Sequence, residues 1–520
     1  MEVHPQVESL AQRASSRRIA AVFAALQFAI HAVVNARGGY GIFRDEYYYI
    51  ACSERLAAGY VDLPPLSAFL LALQRALFGD SVFALRLFPA LAGAAVVYGT
   101  GRLASRLGAG RGGVGLACLA CLCSPITLAL TGIYSMNAFD LLIWIAAAHV
   151  LLDALAAPRA RHWILLGVLC GLGLLNKVSA AWLLLGILVG LLATPARREL
   201  ARPMPYVAAA IALLLALPFV LWNATHGWAH LEFIRGASEG KYSGLSAWTF
   251  LAGQFELQHP LNAPIWIVGL WFLMLARRGA AFRALGWIVV TTALVLVLNG
   301  RSKSEYLSVA FPILYAAGGA AVDLVHARWF ARFLRPVHAA LLAGTAVMFV
   351  PFALPILPVE SFIAWSARLG VGPSTNEGKE LARLPQFYAD MFGWEAQVDA
   401  VARAYARLDG PAREDCAIFA SNYGRCGAID FLGDSRGLPD SIGSHNNYWI
   451  WGPRESTGRT MLILAADLGD RAEWFDSVEV AEQVVPDPYA MPYESGLKVF
   501  LCRGLRRPLA EVWPELRHYD

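Results

Sequence analysis

The chain has 520 residues, 57% hydrophobic and only 16% charged, with a net charge of +4 and a mean hydropathy of +0.48. Soluble globular proteins average roughly 45–50% apolar and about 25% charged residues. This balance excludes a disordered chain, a collagen-like chain and an ordinary cytosolic enzyme, and it predicts a polytopic membrane protein. The basic residues recur between apolar runs and form no block, which argues against nucleic-acid binding.

A bilayer core takes about 20 apolar residues per helix, within a range of roughly 17–25. The apolar runs predict about eleven spans: Ile19–Val34, Val82–Leu103, Gly113–Leu130, Ala138–Leu155, His162–Leu175, Val178–Ala193, Pro205–Trp222, Pro264–Ala276, Leu285–Leu298, Leu307–Val325 and Val337–Ile356. Only Asn176 and Lys177 separate the fifth and sixth, so these form a tight hairpin or one broken helix. Orientation follows from arginines in short loops. Arg13, Arg17 and Arg18 precede the first span. Arg102, Arg106 and Arg111, then Arg159 and Arg161, then Arg197, Arg198 and Arg202, then Arg277, Arg278 and Arg283, then Arg328, Arg332 and Arg335 mark every second loop. The N-terminus is therefore expected in the cytoplasm and the tail outside. The first span reads as retained, not as a cleaved signal peptide.

The expected domains are a membrane part, 1–358, and an extracytoplasmic α/β tail, 359–520. In the outer loop, 38–81, a helix-like run follows Phe43 and ends near Gly59. The Tyr60–Pro65 element follows, then an amphipathic stretch, Leu66–Phe78, suited to the membrane interface. Tyr47, Tyr48, Tyr49 and Tyr60 suit headgroup depth. In the tail, Gln386–Ala406 reads as helix, and Ala417–Ser421, Met461–Ala465 and Leu497–Cys502 as strands.

Cys118, Cys121 and Cys123 have zinc-like spacing but lie in an apolar helix with no matching second half. Cys416 and Cys426 are able to pair if the tail meets an oxidising compartment, and the sequence leaves that open. His226 and His230 stand four apart with Glu232 nearby, a conceivable metal pair weakened by its place in a loop.

Asp45 and Glu46 have two readings. Acids at a helix N-terminus cap it, and a carboxylate held at the interface above a membrane cavity serves as a general base. Asp140 is an ionisable residue inside a span, a functional candidate by default; an interhelical hydrogen bond is the plainer alternative. Lys177, Arg301 and Lys303 fall on the outer side against the charge rule. They either bind phosphate or snorkel from helix ends. Arg86, at the outer start of the second span, is a fourth basic candidate.

Phe43-Arg44-Asp45-Glu46-Tyr47-Tyr48-Tyr49, with Gly59-Tyr60-Val61-Asp62-Leu63-Pro64-Pro65-Leu66, resembles the first outer loop of bacterial GT-C glycosyltransferases. The branch is glycosyltransferase family 39, which includes protein O-mannosyltransferases and the aminoarabinose–lipid A transferase. Asn137–Asp140 is similar to the acid-bearing start of their fourth span, Leu174–Lys177 to their outer hairpin, and Lys303–Pro312 to their basic-aromatic approach to a late span. The resemblance covers about 19–325. Phe392-Gly393-Trp394, Ser421–Gly424 and Asn446–Pro453 resemble the tail of a bacterial subgroup with no assigned activity.

The resemblance implies a mainly α GT-C membrane fold and an inverting transfer of a hexosyl or pentosyl group. The donor is a polyprenyl-phosphate sugar. The acceptor is an extracytoplasmic hydroxyl or phosphate on a lipid, glycan or protein. Asp45 is then the base and Glu46 its support. Lys177, Arg301 and Lys303 stabilise the departing phosphate. Asp140, Tyr306, Asp62 and Arg86 complete the substrate-binding set. Metal use stays open, with Asp45 and Asp140 the residues able to hold a divalent cation. Ser304-Glu305-Tyr306 departs from the apolar or Pro-Tyr element of many relatives. The implied location is the bacterial inner membrane, with the tail in the periplasm. A flippase of lipid-linked sugars would share the apolar bulk but show paired halves, and no internal repeat is seen. A non-catalytic envelope assembly factor, binding through its tail, is the third reading, and it would tolerate loss of Asp45.

Overall fold

The structure, a computed structural model, describes residues 10–238, 245–324, 329–375 and 379–520. Val325, at the end of the tenth expected span, and Arg328 lie outside the described residues. The chain forms two compact units. The first is Met1–Arg37, Phe83–Val220 and Gly244–Ile356; the second is Gly38–Val82, Leu221–Ser243 and Leu357–Asp520.

The first unit is helical. Helix forms most of each of the eleven apolar segments, with a break at Cys123 and Ser124 inside the third and non-helical ends in several others. Seven helices are long and apolar enough to cross a bilayer on their own: Ala14–Arg37, Val82–Arg106, Met136–Ala156, Met204–Thr225, Ala280–Asn299, Ser304–Val322 and Arg332–Ala353. The bent pair Ala180–Leu192 and Pro195–Ala201 also passes when taken as one span. Arg111–Leu122, Ala160–Asn176 and Pro260–Met274 are shorter apolar helices. The chain is thus a multi-pass membrane protein. Leu213, Leu214, Val337, Leu341 and Val347 stay exposed on their helices, as lipid-facing residues do.

Lipid tails give helices no hydrophobic reason to associate, so small residues and buried hydrogen bonds join them. Gly113 of Arg111–Leu122 and Gly319 of Phe311–Val322 each leave no room for a Cβ against the other's carbonyl oxygen. Gln258 Oε1 accepts from Ser124 Oγ at 2.9 Å and from the Tyr315 hydroxyl at 2.8 Å. The fifth and sixth apolar segments part at Lys177, whose backbone is extended (φ −156°, ψ 130°).

The second unit is built on a five-stranded sheet. Its strands are β1 (Cys416–Ala420), β2 (Ile442–Gly443), β3 (Thr460–Ala465), β4 (Phe475–Gln483) and β5 (Lys498–Leu505), in the order β2-β1-β3-β5-β4. β1 runs parallel to β2 and β3, with Ile418 opposite Leu462; β5 runs antiparallel to β3, with Leu462 opposite Leu501. Every residue of β1 is buried, and so is β3 up to Leu464, which explains their unbroken apolar runs. β4 is an edge strand with exposed Asp476, Ser477, Glu479 and Val480. Charge on an edge discourages pairing with other chains and erases the alternation that would have marked this strand in the sequence. The expected helix Gln386–Ala406 is two helices, Gln386–Ala389 and Trp394–Ala406, separated by the left-handed Gly393 (φ 89°).

The helix Arg44–Glu54 packs on Tyr423–Gly433. The approach is close: a Cβ on Gly427 would stand 2.8 Å from the Tyr47 backbone. Tyr47, Tyr48, Tyr49 and Tyr60 are all buried, a correction to the expectation that they sit among headgroups. Protein aromatics cover the first two, with Trp394 and Phe431 on Tyr47 and Tyr423 and Tyr448 on Tyr48, and the Tyr60 hydroxyl is turned onto the Cys52 carbonyl at 2.9 Å. Leu66–Phe78 behaves differently. It buries Ser67, Ala68, Leu71 and Gln74 while Phe69, Leu73 and Leu77 form an exposed stripe at helical spacing. That inverted amphipathicity suits an interfacial helix. All eight cysteines are free and buried, so Cys416 and Cys426 do not pair, and Cys118, Cys121 and Cys123 are thiols inside a helix core. Cys426 Sγ points to the Ala420 carbonyl at 3.3 Å.

Candidate functional site

The second unit holds Asp45. The helix Arg44–Glu54 starts after the extended Phe43, and the buried Glu46 reaches back so that its Oε2 accepts the Phe43 N–H at 2.8 Å. That is the return half of a capping box. It spends Glu46 on fixing the turn that presents Asp45. Asp45 itself is partly exposed, at 40% of its side chain. Its Oδ1 accepts from the Tyr423 hydroxyl at 2.8 Å and from Arg44 Nε at 3.3 Å. Among the described residues nothing hydrogen-bonds Oδ2. One oxygen is therefore oriented and the other faces out, the arrangement a general base needs. Burial pushes the Tyr423 phenol well up, so it stays a proton donor to Asp45.

Arg44 anchors the turn. It is buried, and its Nη1 meets the Tyr493 hydroxyl at 3.1 Å and Asp390 Oδ2 at 3.5 Å. Tyr493 donates to Asp390 Oδ1 at 2.9 Å, and the Arg44 N–H donates to the Asp390 carbonyl at 3.0 Å. Asp62 lies beside Tyr48 and helps to raise its phenol, behind the larger effect of burial. Asn447 Oδ1 accepts from the Val61 N–H at 2.7 Å and from the Tyr48 hydroxyl at 3.2 Å. Tyr423, Asp390, Tyr493 and Asn447 carry no functional pattern of their own. The available signals were the tail resemblance of Ser421–Gly424, which holds Tyr423, and of the aromatic stretch Asn446–Pro453, which holds Asn447; Asp390 and Tyr493 had none.

The first unit gathers a second group. Asp140 is buried near the start of Met136–Ala156, and its Oδ2 accepts from Ser179 Oγ at 3.0 Å. Lys177 Nζ donates to Asn137 Oδ1 at 2.7 Å and stands 4.8 Å from the centre of the Tyr306 ring. Lys177 also lies within electrostatic reach of Asp140, Glu305 and Lys303. Trp182 packs against Tyr306 with ring centres 6.1 Å apart. Asp140, Lys177, Lys303 and Tyr306 thus come together, joined by the unforeseen Glu305 of the divergent Ser304-Glu305-Tyr306 element. Arg301 is exposed on the extended stretch before Ser304–Ala310, and Arg86 is buried at the N-cap of Leu87–Arg106.

His226 and His230 form no metal pair. His226 is exposed and stacks on Trp222, while His230 is buried with Nδ1 on the Val61 carbonyl at 2.8 Å. Glu232 pairs instead with Arg517 at 3.0 Å. Among the described residues, three metal-ligating side chains gather at His445, His518 and Asp520.

The fold is similar to that of a solved glycosyltransferase, ArnT, and part of the chain matches a family model. Residues 62–222 match the dolichyl-phosphate-mannose-protein mannosyltransferase family. ArnT from Cupriavidus metallidurans, in a crystal structure with undecaprenyl phosphate bound, superposes with a TM-score of 0.62 at 16% identity, over 92% of this chain and 97% of that one. Its apo state gives 0.60 at 15% identity over the same shares. The lipid A galacturonosyltransferase RgtD of Rhizobium johnstonii is 25% identical over 295 residues, 55% of this chain. The chain spans about three fifths (61%) of the length of that curated relative.

Proposed function

We propose that the chain is an inverting glycosyltransferase that moves a sugar from a polyprenyl-phosphate carrier to an extracytoplasmic acceptor. The observation that carries the reading is Asp45: a partly exposed carboxylate on a capped helix start, with one oxygen held by Tyr423 and Arg44 and the other turned outward. The undecaprenyl phosphate in ArnT supports the donor class. The name of RgtD directs the acceptor search to lipid A first.

In this reading Asp45 takes the proton of the acceptor hydroxyl. The acceptor oxygen attacks the anomeric carbon from the face opposite the phosphate. The bond from that carbon to the phosphate oxygen breaks, and its electron pair leaves with the polyprenyl phosphate. Lys177 and Lys303 stabilise that leaving charge, with Arg301 at the exposed rim and Tyr306 shaping the lysine. Asp140 holds sugar hydroxyls; Asp62 and Arg86 complete the binding set. Glu46 acts by fixing the turn. The enzyme resides in the bacterial inner membrane with residues 359–520 in the periplasm.

The test is transfer of labelled sugar from the lipid carrier in membranes with matched expression. Asp45→Asn keeps shape and removes the base, so transfer falls by about 10²–10⁴-fold while donor binding persists. Near-normal transfer by this variant would exclude Asp45 as the base.

A further inference from the structure

The extended stretch Arg517–Asp520 runs beside the turn that follows β2. The His518 N–H donates to the Ser444 carbonyl at 3.0 Å, and the Asn446 N–H donates to the His518 carbonyl at 3.0 Å. This single parallel bridge sets His445 opposite His518. Side chains opposite one another across a bridge share a face, as do residues two apart on an extended strand. His445, His518 and Asp520 therefore lie on one face by backbone geometry alone. Their ring and carboxylate atoms agree: His445 Nε2 is 2.7 Å from Asp520 Oδ1, His518 Nε2 is 3.2 Å from Asp520 Oδ2, and the imidazole centres are 5.1 Å apart.

We propose that His445, His518 and Asp520 form a binding site for a divalent transition metal ion, zinc foremost. Two imidazoles and one carboxylate with an open fourth position match zinc's ligand preference. Donor atoms around tetrahedral zinc stand roughly 3.3 Å apart. The three donors already lie within 4.8 Å of one another, so small side-chain shifts close the site.

A second observation marks the same turn. Asn446, between His445 and the docking residue Asn447, is fully buried in a positive-φ conformation (φ 48°, ψ −127°). Among the described residues neither its side-chain nitrogen nor its side-chain oxygen has a hydrogen-bond partner. Backbone strain and an unsatisfied buried amide both cost stability and are kept here beside three metal-ligating groups. His445 packs on Tyr423 with ring centres 4.7 Å apart, and Tyr423 holds Asp45. The ion would clasp Arg517–Asp520 to the turn that carries Asn447 and stiffen the support behind Tyr423.

The experiment uses the full chain in detergent, stripped with a chelator and titrated with Zn²⁺, with bound zinc measured by mass spectrometry and thermal melting followed in parallel. The wild type is expected to take up one zinc that His518→Gln and Asp520→Asn lose, and to melt higher with zinc only when all three ligands are present. His518 is exposed, so His518→Gln keeps the metal-free fold, which its unchanged melting without zinc verifies. Equal zinc uptake by wild type and both variants, or none by the wild type, would overturn the site and leave a hydrogen-bonded His–Asp–His clasp.

Discussion

Two acids stand side by side at 45 and 46 and do different work. Glu46 is buried on the Phe43 N–H, and Asp45 is partly exposed with an outward oxygen. Sequence alone left capping and catalysis as rival readings of the pair; the structure gives capping to Glu46 and leaves Asp45 available. Glu46→Gln retains an acceptor for the Phe43 N–H, so its transfer rate is expected to fall by less than tenfold, well short of Asp45→Asn. Arg44→Ala should separate stability from chemistry. It strips the buried Asp390 of its cation, and breaking such a buried pair costs about 3–5 kcal/mol. The variant is expected to melt markedly lower or to accumulate poorly in membranes, whereas Asp45→Asn keeps wild-type melting. Arg44 and Asp390 are 346 positions apart in the numbering, and no local pattern links them.

At the scale of elements, the apolar spans were legible because burial in lipid demands continuous apolar helix. The parallel strands β1 and β3 were legible for a similar reason, being covered on both faces. β4 and the two-residue β2 were not: one wears the polar coat of an edge, and the other is too short to carry a period. The break at Lys177 was legible as a polar interruption, but its partners were not. Lys177 draws Asn137 from the start of one helix and Tyr306 from the short 3₁₀ turn Ser304–Ala310. If this junction holds the donor phosphate, Lys177→Ala and Lys303→Ala each lose about 2–4 kcal/mol of transition-state stabilisation, and Arg301→Ala loses less because Arg301 is exposed. Unchanged turnover in the two lysine variants, measured under donor saturation and at low donor, would return these residues to a snorkelling role.

At the scale of the whole molecule, the alternating basic loops make orientation testable. Reporters fused after Asp520 or at Ser238 should read the non-cytoplasmic side, and one at Arg198 the cytoplasm; a cytoplasmic signal from the tail would reverse Asp45 with it. The composition of the second unit was hidden from a linear reading, because Gly38–Val82 and Leu221–Ser243 fold with Leu357–Asp520. A fragment of residues 357–520 alone would uncover Tyr423, Tyr448, Trp394 and the Asn447 amide. It is expected to be protease-sensitive and to gain resistance when 38–82 is supplied on the same chain.

The hydrogen bond from Tyr423 to Asp45 joins residues 378 positions apart. At roughly 5–20 residues per second of synthesis, the helix bearing Asp45 leaves the ribosome about 20–80 s before its partner. Throughout that interval the turn has no Tyr423 and no Asn447 to dock against, and for most of it no Asp390. The Asp45 carboxylate is thus among the first parts of the chain to be made and among the last to be set, so that a chain interrupted during export carries the residue without the geometry.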